Sequence, residues 1–349
     1  MPRLVENPPN PWASSEIDWE GEPPRAELEV YAEEAKTALV KNDSPDVGYR
    51  WGVNPYRGCF HGCSYCYARP THEYLGFGAG TDFERKIVVK TNIAERLRAE
   101  LWAPKWQREV IAFSGVTDCY QPLEAAWRLT RACLEACAER SNPVGIITKS
   151  GIVARDIDVL TEIHRRSHAR VIMSIPFASD EMARKFEPYA ALVSKRFETL
   201  RLLSEAGIAT GVAVSPIIPG VNDSDIPAVL ERARDAGATA TFMTLLRLPG
   251  SVREVFDVRL EEVLPDRARK VRNAVREMRG GKMNESAFGR RMSGTGERWR
   301  IIEQLFEQHR TRLGYGDWTE SEAAPRAKET AAAVATAAET QRRQLALFE

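Results

Sequence analysis

The stretch Val144-Gly-Ile-Ile-Thr148 is followed by Asp156 to Arg166 and then by Val171-Ile-Met-Ser-Ile175. The first and last runs are short and almost continuously apolar, as strands buried on both faces are. The stretch between them carries apolar residues at helical spacing. A strand, a helix and a second strand in that order form one βαβ unit, which requires parallel strands. The pattern extends in both directions. Upstream lie Val110-Ile-Ala-Phe113 and a helix over Leu123 to Cys137. Downstream lie a helix over Ser194 to Ala206, a strand over Ile208 to Val214, a helix over Ser224 to Ala236 and a strand over Thr239 to Leu246. With a first strand in Tyr49 to Asn54, about six units result. The expected class is α/β, an open, partial (βα)6 TIM-like barrel whose chemistry sits at the C-terminal ends of its strands.

This barrel is expected over residues 49–259. An N-terminal arm over 1–48 precedes it, where Pro8, Pro9, Pro11, Pro23 and Pro24 interrupt regular structure and Glu27 to Val40 reads as one short helix. Lys86 to Lys90 reads as a strand or the approach to a helix, and Asn92 to Trp102 as that helix. Residues 260–316 read as a helical extension, with one charged helix over Leu260 to Arg279 and another over Trp299 to Leu313. Between them Arg290, Arg291, Arg298 and Arg300 lie in or beside a glycine-rich segment, placed either to meet phosphates or as a solvated face. From 317 to 349 the composition turns Ala-rich, as in a tether.

The chain has 349 residues, with 49 basic and 49 acidic side chains. That balance excludes holding nucleic acid by bulk charge and leaves only a local basic groove. Six cysteines, three of them clustered, are not a secreted disulfide framework. No apolar run reaches membrane-spanning length, and the start lacks a signal-peptide core. The expected location is cytoplasmic, away from any membrane.

The clustered cysteines are Cys59-Phe-His-Gly-Cys63-Ser-Tyr-Cys66. Their number is odd and their gaps are too short for easy bridging. Zinc takes four ligands, commonly as two separated pairs, and no second CxxC follows. Closely spaced soft thiolates suit an iron–sulfur cluster, and three of them leave one iron of a four-iron cluster open. A three-cysteine zinc site or another kind of cluster stays open as an alternative. CxxxCxxC with an aromatic residue before the last cysteine resembles the signature of the radical S-adenosylmethionine (SAM) superfamily. The wider run from Asn54-Pro-Tyr-Arg-Gly-Cys to Cys66-Tyr-Ala-Arg-Pro-Thr-His is similar to its spore photoproduct lyase-like subgroup. The resemblance covers roughly Asn54 to Leu313 and is densest at the cysteine loop.

The resemblance implies a [4Fe–4S] cluster on Cys59, Cys63 and Cys66, with SAM on the open iron. It implies reductive cleavage of SAM to a 5′-deoxyadenosyl radical and an external electron donor. Tyr65 and Tyr67 become cofactor contacts, Tyr65 against the adenine. Thr117, Asp118, Lys149 and Ser174 stand at expected strand ends with groups suited to SAM's amino acid head and ribose; for Thr117, Asp118 and Ser174, helix capping is the plainer alternative. Arg196 could fork the SAM carboxylate or make a surface ion pair. His61 and His72 read as residues behind the site rather than fourth ligands. Photoproduct lyases return a hydrogen atom from a cysteine just before this Ser/Thr-Asp pair. Here Val116 holds that place and Cys119 follows Asp118, which puts photoproduct repair in doubt. Cys119 and Tyr120 are the candidate catalytic donors, against burial of Cys119 as a small apolar thiol.

The chain ends Gln344-Leu345-Ala346-Leu347-Phe348-Glu349. This resembles the peptide by which bacterial replication and repair proteins hold the DNA sliding clamp. The resemblance implies that Leu345, Leu347 and Phe348 fill apolar pockets and Gln344 makes a polar contact. A helix end folded onto the body is the alternative. If the tether acts this way, DNA is the natural substrate. RNA, protein or small-molecule substrates, and a non-catalytic clamp-associated iron–sulfur protein, are the competing readings.

Overall fold

Strand residues in the barrel region are β-branched or small and carry almost no charge, so they bury on both faces. The computed structural model describes residues 27–316. The strands are β1 (Glu29–Glu33), β2 (Val40–Lys41), β3 (Trp51–Val53), β4 (Tyr56–Arg57), β5 (Lys86–Lys90), β6 (Ile111–Phe113), β7 (Val144–Thr148), β8 (Ala169–Ser174), β9 (Ala209–Ile217) and β10 (Ala240–Leu245). The main sheet runs β10-β9-β8-β7-β6-β3-β2. Six of its strands are parallel, β3, β6, β7, β8, β9 and β10, and β2 joins the edge antiparallel. The register Val53↔Phe113↔Ile146 brings the ends of β3 and β6 level, and β7 runs two residues beyond them to Thr148. Among the described residues no pairing joins β10 to β3, so the barrel is open.

The helices are α1 (Thr81–Arg85), α2 (Ile93–Leu101), α3 (Glu124–Trp127), α4 (Leu129–Arg140), α5 (Ile157–Arg166), α6 (Asp180–Phe186), α7 (Val193–Glu205), α8 (Ile226–Asp235), α9 (Val252–Val263), α10 (Pro265–Met278) and α11 (Gly296–Arg312). Their apolar faces cover the sheet. Ile93, Leu97 and Leu101 of α2 and Cys133, Leu134 and Cys137 of α4 are fully buried in this layer.

Three expectations fail, one to a distant partner and two to the local backbone. Glu27 to Val40 is not a helix: β1 pairs in parallel with β5, and the alternating Val30 and Ala32 take strand pairing over helix propensity. The helix expected over Leu123 to Cys137 is two, broken at Arg128, whose φ is +52°. The charged helix expected over Leu260 to Arg279 is divided at Pro265, which disfavours the α region for Leu264 (φ −144°, ψ 55°). The tail over 317–349 and its terminal peptide lie outside the described residues.

Candidate active site

The cysteine loop leaves the C-terminal side of β4. It turns tightly at Gly58 (φ +76°) and Gly62 (φ +65°), a region costly for residues with a Cβ. A Cβ on Gly58 would stand 2.9 Å from both His72 Cε1 and the Phe83 carbonyl; one on Gly62 would stand 3.0 Å from Tyr189 Cδ2. Neither position has room for a side chain. Cys59 N donates to Phe83 O (2.8 Å) and Cys66 N to Cys63 O (3.2 Å).

Two buried side chains staple this loop. Arg69 is fully buried. It donates through Nε to Cys63 O (3.0 Å), through Nη1 to Ala79 O (2.8 Å) and Gly80 O (3.0 Å), and through Nη2 to Gly62 O (3.1 Å) and Glu84 (2.5 Å). Gln121, also fully buried, straddles Cys59: its Oε1 accepts from Phe60 N (2.9 Å) and its Nε2 donates to Gly58 O (3.1 Å). Neither was singled out from the sequence. Arg69 lies three residues past the motif, and Gln121 follows the Thr-Asp pair.

The loop suits a cluster. Cys59 and Cys63 are buried, Cys66 is partly so, and all three thiols are free. Burial first, then the charges of Glu187, Cys66 and Cys59, raise Cys63 well above the ordinary thiol range. Burial and the Cys59 charge push Cys66 up to about 11. Three thiols within one another's field repel as thiolates, and bound cations would relieve that repulsion. Among the described residues no three His, Cys, Asp or Glu side chains group as ligands of one metal ion. Thiols spread along a loop fit separate irons of a cluster better than one zinc tetrahedron.

The strand ends face this loop. Asp118, past β6, accepts from Thr148 Oγ1 (2.7 Å), Lys149 N (2.8 Å) and Tyr120 N (2.9 Å), and lies 3.4 Å from His61 Nδ1. Burial works against its carboxylate, but the His61 charge and these hydrogen bonds outweigh burial and hold it near 2. Burial would likewise lower His61; Cys59 and Asp118 outweigh it and push His61 up to about 10. Thr117 is buried, with its hydroxyl on Tyr56 O (3.0 Å).

A second cluster joins β7, β8 and α7. Lys149 Nζ donates to Ser174 Oγ (2.6 Å) and lies 3.6 Å from Glu187. Glu187, just past α6 and fully buried, accepts from the Tyr65 hydroxyl and from Arg196 Nη2 (2.5 Å). Tyr65, Lys149 and Arg196 thus meet on one carboxylate that sequence reading missed, and Ser174 joins them through Lys149 and Arg196. Its neighbours Phe186 and Pro188 disguise it among the charges of α6. Arg196 differs from both expectations. It is fully buried, not a surface pair, and its fork is committed to Glu187, Ser174 O (3.0 Å) and Ala191 O (2.8 Å).

Cys119 and Tyr120 are not brought to the barrel mouth. Both are fully buried; the Tyr120 hydroxyl donates to Asp156 (3.0 Å), and Cys119 packs in the core. A hydrogen donor must touch its substrate, which these positions do not allow as they stand. His72 is buried behind Gly58, with Nε2 at 2.8 Å from Lys86 O. The four expected phosphate contacts each have a carboxylate: Arg290 with Glu285, Arg291 with Asp46, Arg298 with Glu277 and Arg300 with Glu297. Tyr67 is half-exposed at the mouth, its hydroxyl on Gly115 O (2.8 Å).

Comparison with known proteins agrees with this geometry. A family model for the radical SAM superfamily matches residues 53–233. An uncharacterised protein of Mycobacterium tuberculosis (strain ATCC 25618 / H37Rv) is 36% identical over 69% of this chain and 72% of its own length. A radical SAM Nalpha-GlyT isomerase of Pseudomonas phage M6 is 27% identical over 53% of this chain and 37% of its own. Among solved structures, a spore photoproduct lyase complexed with dinucleoside spore photoproduct superposes with a TM-score of 0.59 at 17% identity, covering 86% of each chain; at that identity the likeness is one of fold.

Proposed function

The chain belongs to the radical SAM superfamily, an enzyme family working with a [4Fe–4S] cluster and SAM, and from that premise we propose that it acts on DNA, in repair or modification of a nucleobase. When bound, the cluster and SAM supply reductive cleavage to a 5′-deoxyadenosyl radical, which takes a hydrogen atom from the substrate. The residues that would hold the cluster are Cys59, Cys63 and Cys66. Tyr65, Lys149 and Ser174 would orient SAM, with Glu187 and Arg196 fixing them from behind. Asp118 bonds to Thr148 and Lys149 at the end of β7 and faces His61 at 3.4 Å, which links the strand ends to the cysteine loop. Thr117 and Tyr67 line the approach.

The observation that carries the reading is the buried junction of the cysteine loop with Lys149, Ser174 and Glu187 at the strand ends. The DNA half of the reading draws on the dinucleoside spore photoproduct held by the lyase of similar fold and on the terminal peptide. That peptide, Gln344, Leu345, Leu347 and Phe348, would dock on the sliding clamp and bring the enzyme to DNA. The test is anaerobic: reconstitute iron and sulfide, reduce, add SAM and quantify 5′-deoxyadenosine, with Cys63→Ala as control. Product from the intact motif alone, stimulated by damaged DNA, is the expected result. Product that no DNA stimulates would move the substrate to RNA, protein or a small molecule. A loaded cluster that never yields product would favour the non-catalytic reading. Phe348→Ala should abolish binding to purified clamp protein.

A further inference from the structure

Arg247 lies two residues past the end of β10, at the mouth and on the open side of the barrel. Its guanidinium sits over the ring of Tyr67, 5.3 Å from the centroid, and Tyr67 directly follows Cys66. It has no carboxylate partner among the described residues. Nη1 meets only Met292 Sδ at 3.9 Å, and Nε is buried without a hydrogen-bond partner. Such a group is costly to keep charged and unsatisfied unless a ligand completes it. The nearest opposite charge, Asp46, is taken by Arg291 and by Gly289 N (2.6 Å). Two guanidiniums therefore stand at the mouth against one carboxylate, leaving a local positive charge on a chain of zero net charge.

The surroundings say which anion fits. Tyr67 is 47% exposed and Phe288 58% exposed. Each carries an arginine on its ring, Arg247 on Tyr67 and Arg291 on Phe288 (4.5 Å). Exposed aromatic faces beside guanidiniums are what single-stranded or splayed nucleic acid needs, with rings for the bases and cations for the backbone. A free phosphate would use the cation and leave the rings idle.

We infer that Arg247 anchors a phosphodiester of an unstacked nucleic acid at the barrel mouth, with Tyr67 and Phe288 as stacking surfaces. This rests on the nucleic-acid reading above and names the residues that would carry it. Arg279 sets the geometry: buried at the end of α10, it donates to Leu245, Leu246, Arg290, Arg291 and Ser293 carbonyls, fixing the segment that bears Arg291 and Met292 to the end of β10.

The test is fluorescence anisotropy of a single-stranded oligothymidylate on the anaerobic, cluster-loaded full chain over a salt series, with SAM affinity measured in parallel. Arg247→Gln is expected to weaken oligonucleotide binding about three- to tenfold and to reduce the slope of log K against log salt by about 0.7, one phosphate contact on a single strand. Arg247→Lys should restore the slope, because the charge returns. Phe288→Ala should weaken binding about fivefold or more with the slope kept, because it removes stacking alone. Wild-type affinity and slope in Arg247→Gln overturn the assignment while leaving the nucleic-acid reading intact. A loss of SAM affinity with oligonucleotide binding unchanged moves Arg247 to the cofactor and overturns it too. A wild-type protein that cleaves SAM but binds no oligonucleotide overturns the nucleic-acid reading itself, and the inference with it.

Discussion

Arg69→Met is predicted to empty the cluster site without touching a cysteine. Arg69 is fully buried and its fork serves four carbonyls and one carboxylate, Glu84, which is itself 2% exposed. Two of those carbonyls, Gly62 O and Cys63 O, belong to the cysteine loop. Methionine fills a similar volume and donates nothing. The substitution leaves Glu84 charged and unpaired, and breaking a buried pair in this way costs about 3–5 kcal/mol. The abandoned carbonyls add to that cost, though not additively. At about 1.4 kcal/mol per decade this is a shift of about two to three and a half decades toward the open loop. The cost falls on the loop more than on the barrel, because α1 and the segment before it are the only other elements that Arg69 holds. The assay is iron and sulfide per chain after anaerobic reconstitution, with urea unfolding of the unloaded protein beside it. The expected result is a sharp fall in iron content with the barrel still folded. Arg69→Met with Glu84→Gln should recover part of the stability, since the stranded charge is gone. Full iron content and an unchanged unfolding midpoint in Arg69→Met would refute the argument, because a five-bond buried fork would then contribute nothing.

Glu187→Leu should strand the Arg196 charge and cost about 3–5 kcal/mol, while Glu187→Leu with Arg196→Met costs less than the sum of the two single changes; additive values in urea unfolding would deny the coupling. Gln121→Leu removes both bonds flanking Cys59 and should cost about 1–3 kcal/mol, read as faster iron loss to a chelator. Gly62→Ala meets Tyr189 and Glu84 and is forced into a left-handed backbone, so reconstitution should fail or fall several-fold; normal iron content would show that the loop can shift. Tyr120→Phe loses only the bond to Asp156, about 1 kcal/mol, and 5′-deoxyadenosine formed per loaded cluster should hold; its loss would return Tyr120 to the reaction.

The barrel was legible because its strands are apolar runs separated by helices, an order that requires parallel pairing. β7, α5 and β8 fall within two residues of their expected bounds. Two failures were local helix breaks, at Arg128 and before Pro265, and the third was decided by a partner distant in sequence. β1 is a strand because β5 offers an edge, and nothing in Glu29 to Glu33 alone reveals that edge. The site divides in the same way. The three cysteines are legible because their spacing is itself chemical information. Lys149 and Ser174 are legible because they stand where expected strands end.

Arg69, Gln121 and Glu187 were illegible because a charged or amide residue in a sequence reads as surface unless its partner is known. Here the partners are backbone groups of the loop and other buried side chains, Glu84 for Arg69 and Arg196 for Glu187. The open edge of the barrel shows the same thing at larger scale. Periodicity locates β3 and β10 but does not say how the gap at the mouth between them is spanned. Side chains span it from the β10 edge: Arg247 reaches over Tyr67, and Arg291, in a segment tied to the end of β10, reaches Asp46 and Ser44 between β2 and β3. The groups that span the gap also carry its unpaired positive charge. A barrel closed by strand pairing would present only a ladder there. This one presents guanidiniums and aromatic rings, so the opening that the fold leaves is also where a substrate can be held against the cysteine loop.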